Sequence, residues 1–266
     1  GCAMTLNRGV IAPKAEDEMF IGWAKTPAVD RRFLLGAMPL MLCGTTGLGW
    51  LVSKELDDPG AGRWAQGATH VVEGVLSAKP YPMIRVADAA APFGLRSVLI
   101  VAQGKCTGAL KLAELDAKPV RASGVLIERK DRRMLEVPLS VNRWLEALPA
   151  AGAEAPVPPA TTSLGRARLA GQIMDSKCFF GVMRPSRGKT HKACAALCIR
   201  GGIPPSFWAR DGQGRESVLL MTDAVGGPLG EAILPLVADP VSAEGEIVRV
   251  GDLLQFRADA ADYRRI

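Results

Sequence analysis

The sequence predicts a mainly β protein: an N-terminal single transmembrane helix followed by two tandem small OB-like β-barrel domains, the second with a Cys/His-bearing helical insertion. Three observations lead there. Residues Phe33 to Ser53 carry no charged side chain. Beyond residue 66 the chain repeats a series of short apolar strings in the same order. Glycine (29 residues) and proline (19) are plentiful while aromatics make up only 5%, which suits short strands and tight turns better than long helices.

The uncharged run, residues 33–53, reads FLLGAMPLMLCGTTGLGWLVS. About 20 residues at a rise of about 1.5 Å cross a hydrocarbon core of about 30 Å, so the run predicts a span through a lipid bilayer. Its glycines, threonines and Pro39 are tolerated in a membrane helix, and Trp50 suits the interface. Arg31 and Arg32 precede the run; Lys54, Glu55, Asp57 and Asp58 follow it. The basic bias places segment 1–32 in the cytoplasm. The chain is then a bacterial inner-membrane protein with its C-terminal domains in the periplasm. The DRRFLLG string has the arginine pair of a twin-arginine signal, but no small-x-small cleavage site follows, so it predicts an uncleaved anchor.

The repeat sets the domain plan. Gly74, SVLIV (Ser97–Val101) and KPVRASGVLIER (Lys118–Arg129) recur as Gly171, SVLLM (Ser217–Met221) and DPVSAEGEIVRV (Asp239–Val250). Both copies carry P-V-x-x-x-G, ending at Gly124 and Gly245, and Ser97 precedes Pro119 by 22 residues where Ser217 precedes Pro240 by 23. A part-alternating strand with an internal glycine marks a bulge or barrel corner. The predicted barrels are therefore 66–148 and 166–266, joined by a Pro/Ala-rich linker over 149–165. VNRWLEALPA, before the linker, predicts a helical turn or two, and a short helix is predicted from near Pro228. Gly74 lies 23 residues before Ser97 but Gly171 lies 46 before Ser217. The second copy thus holds an insertion, near 178–205.

That insertion carries the chemistry. His191, Cys194 and Cys198 fall on one face of a predicted helix that Gly201 and Gly202 end. Cys178 can return to that face through the intervening loop. Three thiolates and an imidazole make a tetrahedral zinc set, and such ligands also hold iron–sulfur centres. Outside the cytoplasm cysteines tend toward disulfides, so a second reading pairs Cys178 with Cys194 or Cys198 and leaves one thiol over. Such a loop would stabilise by about 3 kcal/mol. Arg184, Arg187, Lys189 and Lys192 surround Thr190, which would cap the helix, and together they predict an anion-binding loop. Gly188-Lys189-Thr190 resembles the end of a phosphate loop, but Met183 stands where its first glycine belongs, which excludes a nucleotide. Phe207 and Trp208, stiffened by Pro204 and Pro205, read as a knob for docking a partner. Cys106 and Cys43 read as packing residues.

A net charge of +6 without a basic–aromatic stripe argues against nucleic acid, although OB modules can bind it. No catalytic constellation is evident. The sequence therefore predicts a membrane-anchored accessory subunit of a bacterial complex, in a respiratory or electron-transfer setting, that scaffolds other subunits through its barrels. The alternative is a membrane-tethered metal-binding or thiol redox protein, or a metallochaperone, using the Cys/His cluster.

Overall fold

The computed structural model describes residues 26–55, 60–107, 110, 112–140, 144–149 and 160–266. Most of the predicted cytoplasmic segment and most of the predicted linker lie outside them. The chain divides into two units, Gly1–Asp58 and Pro59–Ile266.

In the first unit, helix α1 runs from Ala28 to Glu55, beyond both ends of the predicted span. At about 1.5 Å per residue its 28 residues extend about 42 Å, long and apolar enough to cross a bilayer. Its apolar side chains are exposed, Leu35 and Leu40 among them. Two hydroxyls inside the span are satisfied within the helix, which suits hydrocarbon surroundings: Thr45 Oγ1 donates to the Met41 carbonyl at 2.8 Å and Ser53 Oγ to that of Trp50 at 2.8 Å. The Lys54 ammonium lies 3.7 Å from the Trp50 ring centroid, a pairing suited to an interface.

The second unit begins with β1 (Gly62–Trp64), β2 (His70–Ser77), β3 (Met83–Ala87), β4 (Leu95–Ala102), β5 (Pro119–Arg129), β6 (Arg132–Val137) and β7 (Leu145–Ala147). Strand β5 pairs with β2, β2 with β3, β3 with β4, β4 in parallel with β6, and β6 with β5 again. This circuit is a closed five-stranded OB-like barrel. VNRWLEALPA supplies β7 rather than the predicted helix: Leu145–Ala147 pair with Val120–Ala122 of β5, and Trp144 is buried in the barrel interior. An extended edge satisfied by a strand outweighs weak local helix preference here.

The remainder holds β8 (Thr161–Asp175), α2 (Ser176–Phe180), α3 (Lys192–Arg200), β9 (Pro205–Arg210), β10 (Glu216–Thr222), β11 (Pro240–Val250), β12 (Leu253–Arg257) and β13 (Tyr263–Arg265). Strand β8 starts inside the stretch predicted as linker, because Thr161–Ser163 pair with Val248–Val250. The pairings β8–β9, β9–β10, β10–β12 in parallel, β12–β11 and β11–β8 repeat those of the first sheet. The predicted helix after Pro228 is a short 3-10 turn, Glu231–Leu236, with Pro235 inside it.

The repeated glycines have a steric cause. A Cβ on Gly124 would stand 2.5 Å from the Glu136 carbonyl oxygen, and one on Gly245 2.5 Å from that of Arg257. Both mark where the long strand coils tightly onto its hairpin partner.

Among the described residues, three apolar clusters fill the unit. One lies inside the first barrel (Ile84, Val98, Ile100, Leu135), and one lines the second sheet (Phe207, Leu219, Met221, Phe256). The third is a seam between them, built from Met83, Leu99, Val101, Phe179, Trp208 and Leu220. Alternate residues of SVLIV and SVLLM serve an interior and the seam, which explains why these strings are apolar throughout. Polar ties flank the seam: Tyr81 donates to the Met221 carbonyl at 2.9 Å, and Ser97 Oγ to Asp252 Oδ1 at 2.6 Å.

Candidate metal centre

The insertion folds from its first residue. Asp175 ends β8 and caps α2, its Oδ1 accepting from the Cys178 N–H at 2.8 Å. Its Oδ2 meets His191 Nε2 at 3.0 Å. Asp175 is fully buried and His191 nearly so, so each removes the other's need for water. Between them the chain turns through Gly188, in the left-handed region at φ 78°, and a 3-10 turn, Lys189–His191, that leads into α3.

On α3, Cys194 and Cys198 are one turn apart and meet Cys178. The three Sγ atoms fall within 4.8 Å of one another, as do ligand atoms of Asp175, Cys178 and His191. Cys178 belongs to both groups. Cys178 and Cys198 are buried and Cys194 is half-buried. The predicted disulfide is not formed. All three cysteines are free, with sulfurs 4.1–4.2 Å apart, about twice an S–S bond. The centre of a triangle with such sides lies about 2.4 Å from each sulfur, close to a zinc–thiolate bond.

The first barrel contributes a cation to this triangle. Lys105 Nζ lies 2.8 Å from Cys194 Sγ, 3.1 Å from Cys198 Sγ and 3.3 Å from the Cys194 carbonyl oxygen. Two features hold its loop in place. Lys177 Nζ is buried and binds Glu136 at 2.7 Å, with the carbonyls of Ala102 and Gly104 at 2.8 and 2.9 Å. Gly201, at the end of α3, lies against the Lys105 carbonyl so closely that a Cβ there would stand 1.5 Å from the oxygen.

The electrostatics follow from these contacts. The facing Cys178 thiol, then Lys105, lower the Cys198 pKa to about 7 against burial and the Asp175 charge. Cys178 is pushed up by Cys198, burial and Asp175. For Lys105, burial opposes the charge, but the hydrogen bonds to Cys194 and Cys198 outweigh it and raise its pKa. Cys198 thus ionises before Cys178, with a cation beside it and a thiol facing it. Such an arrangement favours thiolate chemistry and soft metal ions.

The other predicted site residues are placed differently. Arg184, Lys189 and Thr190 are exposed. Arg187 stacks 4.3 Å from the Trp208 ring centroid, and Lys192 is paired with Asp239 at 2.7 Å. Thr190 lies in the 3-10 turn, and α3 begins after His191 with no side-chain cap. Phe207 and Trp208 are buried on β9 rather than presented as a knob: Phe207 belongs to the second sheet's interior and Trp208 to the seam. The prolines deliver these aromatics into a strand paired on both sides, where alternate faces meet two different cores. Cys106 is exposed, not packed.

Sequence reasoning missed Asp175, Lys105 and Lys177. Asp175 could have been found from D-S-K-C, an acidic residue poised to cap a short helix. Lys105 lies 89 positions before Cys194 with no local signal. No family model matches the chain, and comparison with characterised proteins finds no match.

Proposed function

We propose that this is a membrane-tethered metal-binding protein that holds a thiophilic ion on Cys178, Cys194 and Cys198 and hands it on. The observation that carries this reading is the convergence of three cysteine sulfurs on one point, at spacings that fit three bonds to a single ion. The cysteines of an iron–sulfur cluster are spread over its several irons, so sulfurs aimed at one point favour a single soft ion, Zn²⁺ or Cu⁺. Three ligands leave a coordination position open. The half-buried Cys194 and its Lys105 edge offer the way in, while Cys178 and Cys198 form the buried floor. Exchange from one open edge suits a carrier better than a closed structural site. Lys105 offsets part of the thiolate charge and orients two ligands through N–H···S bonds, as outer-shell groups do.

In this reading α1 anchors the protein with residues before it in the cytoplasm, on the strength of Arg31 and Arg32. The recurrence of one strand circuit supports a duplicated OB-type module. Scaffolding of other subunits is disfavoured because the aromatics that would dock them serve the core.

Metal analysis of detergent-purified full-length protein tests the reading. After incubation with zinc and dialysis, the wild type retains metal and Cys194→Ser loses the ion held by the sulfurs. A wild type that retains none refutes it.

A further inference from the structure

We infer that the centre is binuclear: a second metal ion binds at Asp175, Cys178 and His191, with Cys178 as a thiolate bridge to the ion on Cys194 and Cys198. This deepens the metal-binding reading and rests on it. The two ligand groups are contiguous because they share one sulfur. All three members of the second group are more than nine-tenths buried, at 0%, 3% and 3% exposure for Asp175, Cys178 and His191. They supply one oxygen, one sulfur and one nitrogen, a donor set that zinc and cobalt accept.

The local geometry is set for it. Asp175 Oδ1 is held by the Cys178 N–H, which fixes the carboxylate plane and leaves Oδ2 directed at His191. The Oδ2···Nε2 spacing is 3.0 Å. Ligand atoms about 2.0–2.1 Å from a tetrahedral ion stand about 3.3 Å apart, so an opening of a few tenths of an ångström admits the ion between them. An ion bonded to the shared sulfur on each side puts the two metals about 3.5–4 Å apart, the usual spacing of two-metal sites. A fully buried carboxylate held by His191, the Cys178 N–H and the Cys178 thiol is costly in a protein interior, and a divalent cation at Oδ2 compensates it directly. Binding involves no redox change: each thiol that ligates gives its proton to solvent, and His191 ligates as neutral imidazole.

Cobalt titration of the reduced full-length protein in detergent tests this, read by sulfur-to-cobalt absorption and by EPR. Wild type is expected to saturate at two equivalents, with an EPR signal smaller than twice that of one ion because the bridged pair is magnetically coupled. Asp175→Asn keeps the cap on α2, and His191→Gln provides an independent removal. Each is expected to stop at one equivalent with strong sulfur bands. Cys194→Ser is expected to keep one equivalent with weaker sulfur bands. Saturation of wild type at one equivalent, or two equivalents retained by both Asp175→Asn and His191→Gln, overturns the binuclear centre while leaving the three-sulfur site standing. Absence of any sulfur-to-cobalt band refutes the three-sulfur site itself.

Discussion

Replacing Gly201 by alanine probes the contact that brings the Lys105 loop to α3. The new methyl would stand 1.5 Å from the Lys105 carbonyl oxygen and 2.7 Å from its carbonyl carbon. Both are backbone atoms, so no side-chain rotation relieves the clash. Restoring ordinary contact requires α3 and the loop to part by about 2 Å. The loop cannot follow freely, because Lys177 grips the carbonyls on its other side. A shift of that size breaks hydrogen bonds of 2.8 and 3.1 Å from Lys105 to the two sulfurs. Overpacking of this kind costs about 1–3 kcal/mol, which lowers Tm by about 2–12 °C for a body of this size. Thermal melts followed by circular dichroism read the change. Gly212→Ala is the control, since nothing lies within 4 Å of a Cβ there. Because the clash already separates Lys105 from the sulfurs, Lys105→Met is expected to cost less in the Gly201→Ala background than in wild type. Equal Tm values for Gly201→Ala and Gly212→Ala, or full additivity with Lys105→Met, would refute the reasoning.

Three further outcomes are expected. Phe207→Ala removes a fully buried ring and destabilises by about 3–5 kcal/mol in urea titration; a change below 1 kcal/mol contradicts its core placement. Leu42→Arg places a charge in the middle of α1 at a cost of about 2.5–3.5 kcal/mol for membrane insertion, so the variant shifts to the soluble fraction on alkaline extraction while wild type stays in the pellet. The Lys192 hydrogen bond, then Arg265, hold the Asp239 pKa below its ordinary 3.8 against burial. A depressed carboxylate pKa stabilises the fold above the unfolded value and loses that contribution as pH falls through the folded one. Wild type should therefore lose more stability than Asp239→Asn between neutral pH and the acid side of 3.8, as measured by denaturant titration at each pH; parallel curves contradict the pairing.

The parts of the fold legible in the sequence are those written in local pattern. The uncharged run and its arginine pair marked α1. The spacing of SVL and P-V-x-x-x-G marked the repeated strands, because a strand that coils onto its partner needs glycine at the contact. The face of α3 was legible too, since helical periodicity alone aligns Cys194 with Cys198. What misled was segment-level reading of residues whose partners are remote. Leu145–Ala147 became a strand because β5 had a free edge. Phe207 and Trp208 became core because β9 lies between two apolar clusters. The cysteines stayed apart because the return of Cys178 stops at contact distance.

The sequence by itself determined which residues of the insertion could do chemistry, since thiols, an imidazole and helical spacing are local properties. Only the tertiary structure decided how they are grouped. It put Cys178 in both triads, turned Asp175 toward His191 and brought Lys105 from the first barrel to the sulfurs of the insertion. These are contacts across the seam and across a buried turn, fixed by packing and by backbone approaches such as Gly201 on Lys105. No one-dimensional pattern encodes them, because the energy that sets them belongs to pairs of surfaces rather than to any one segment.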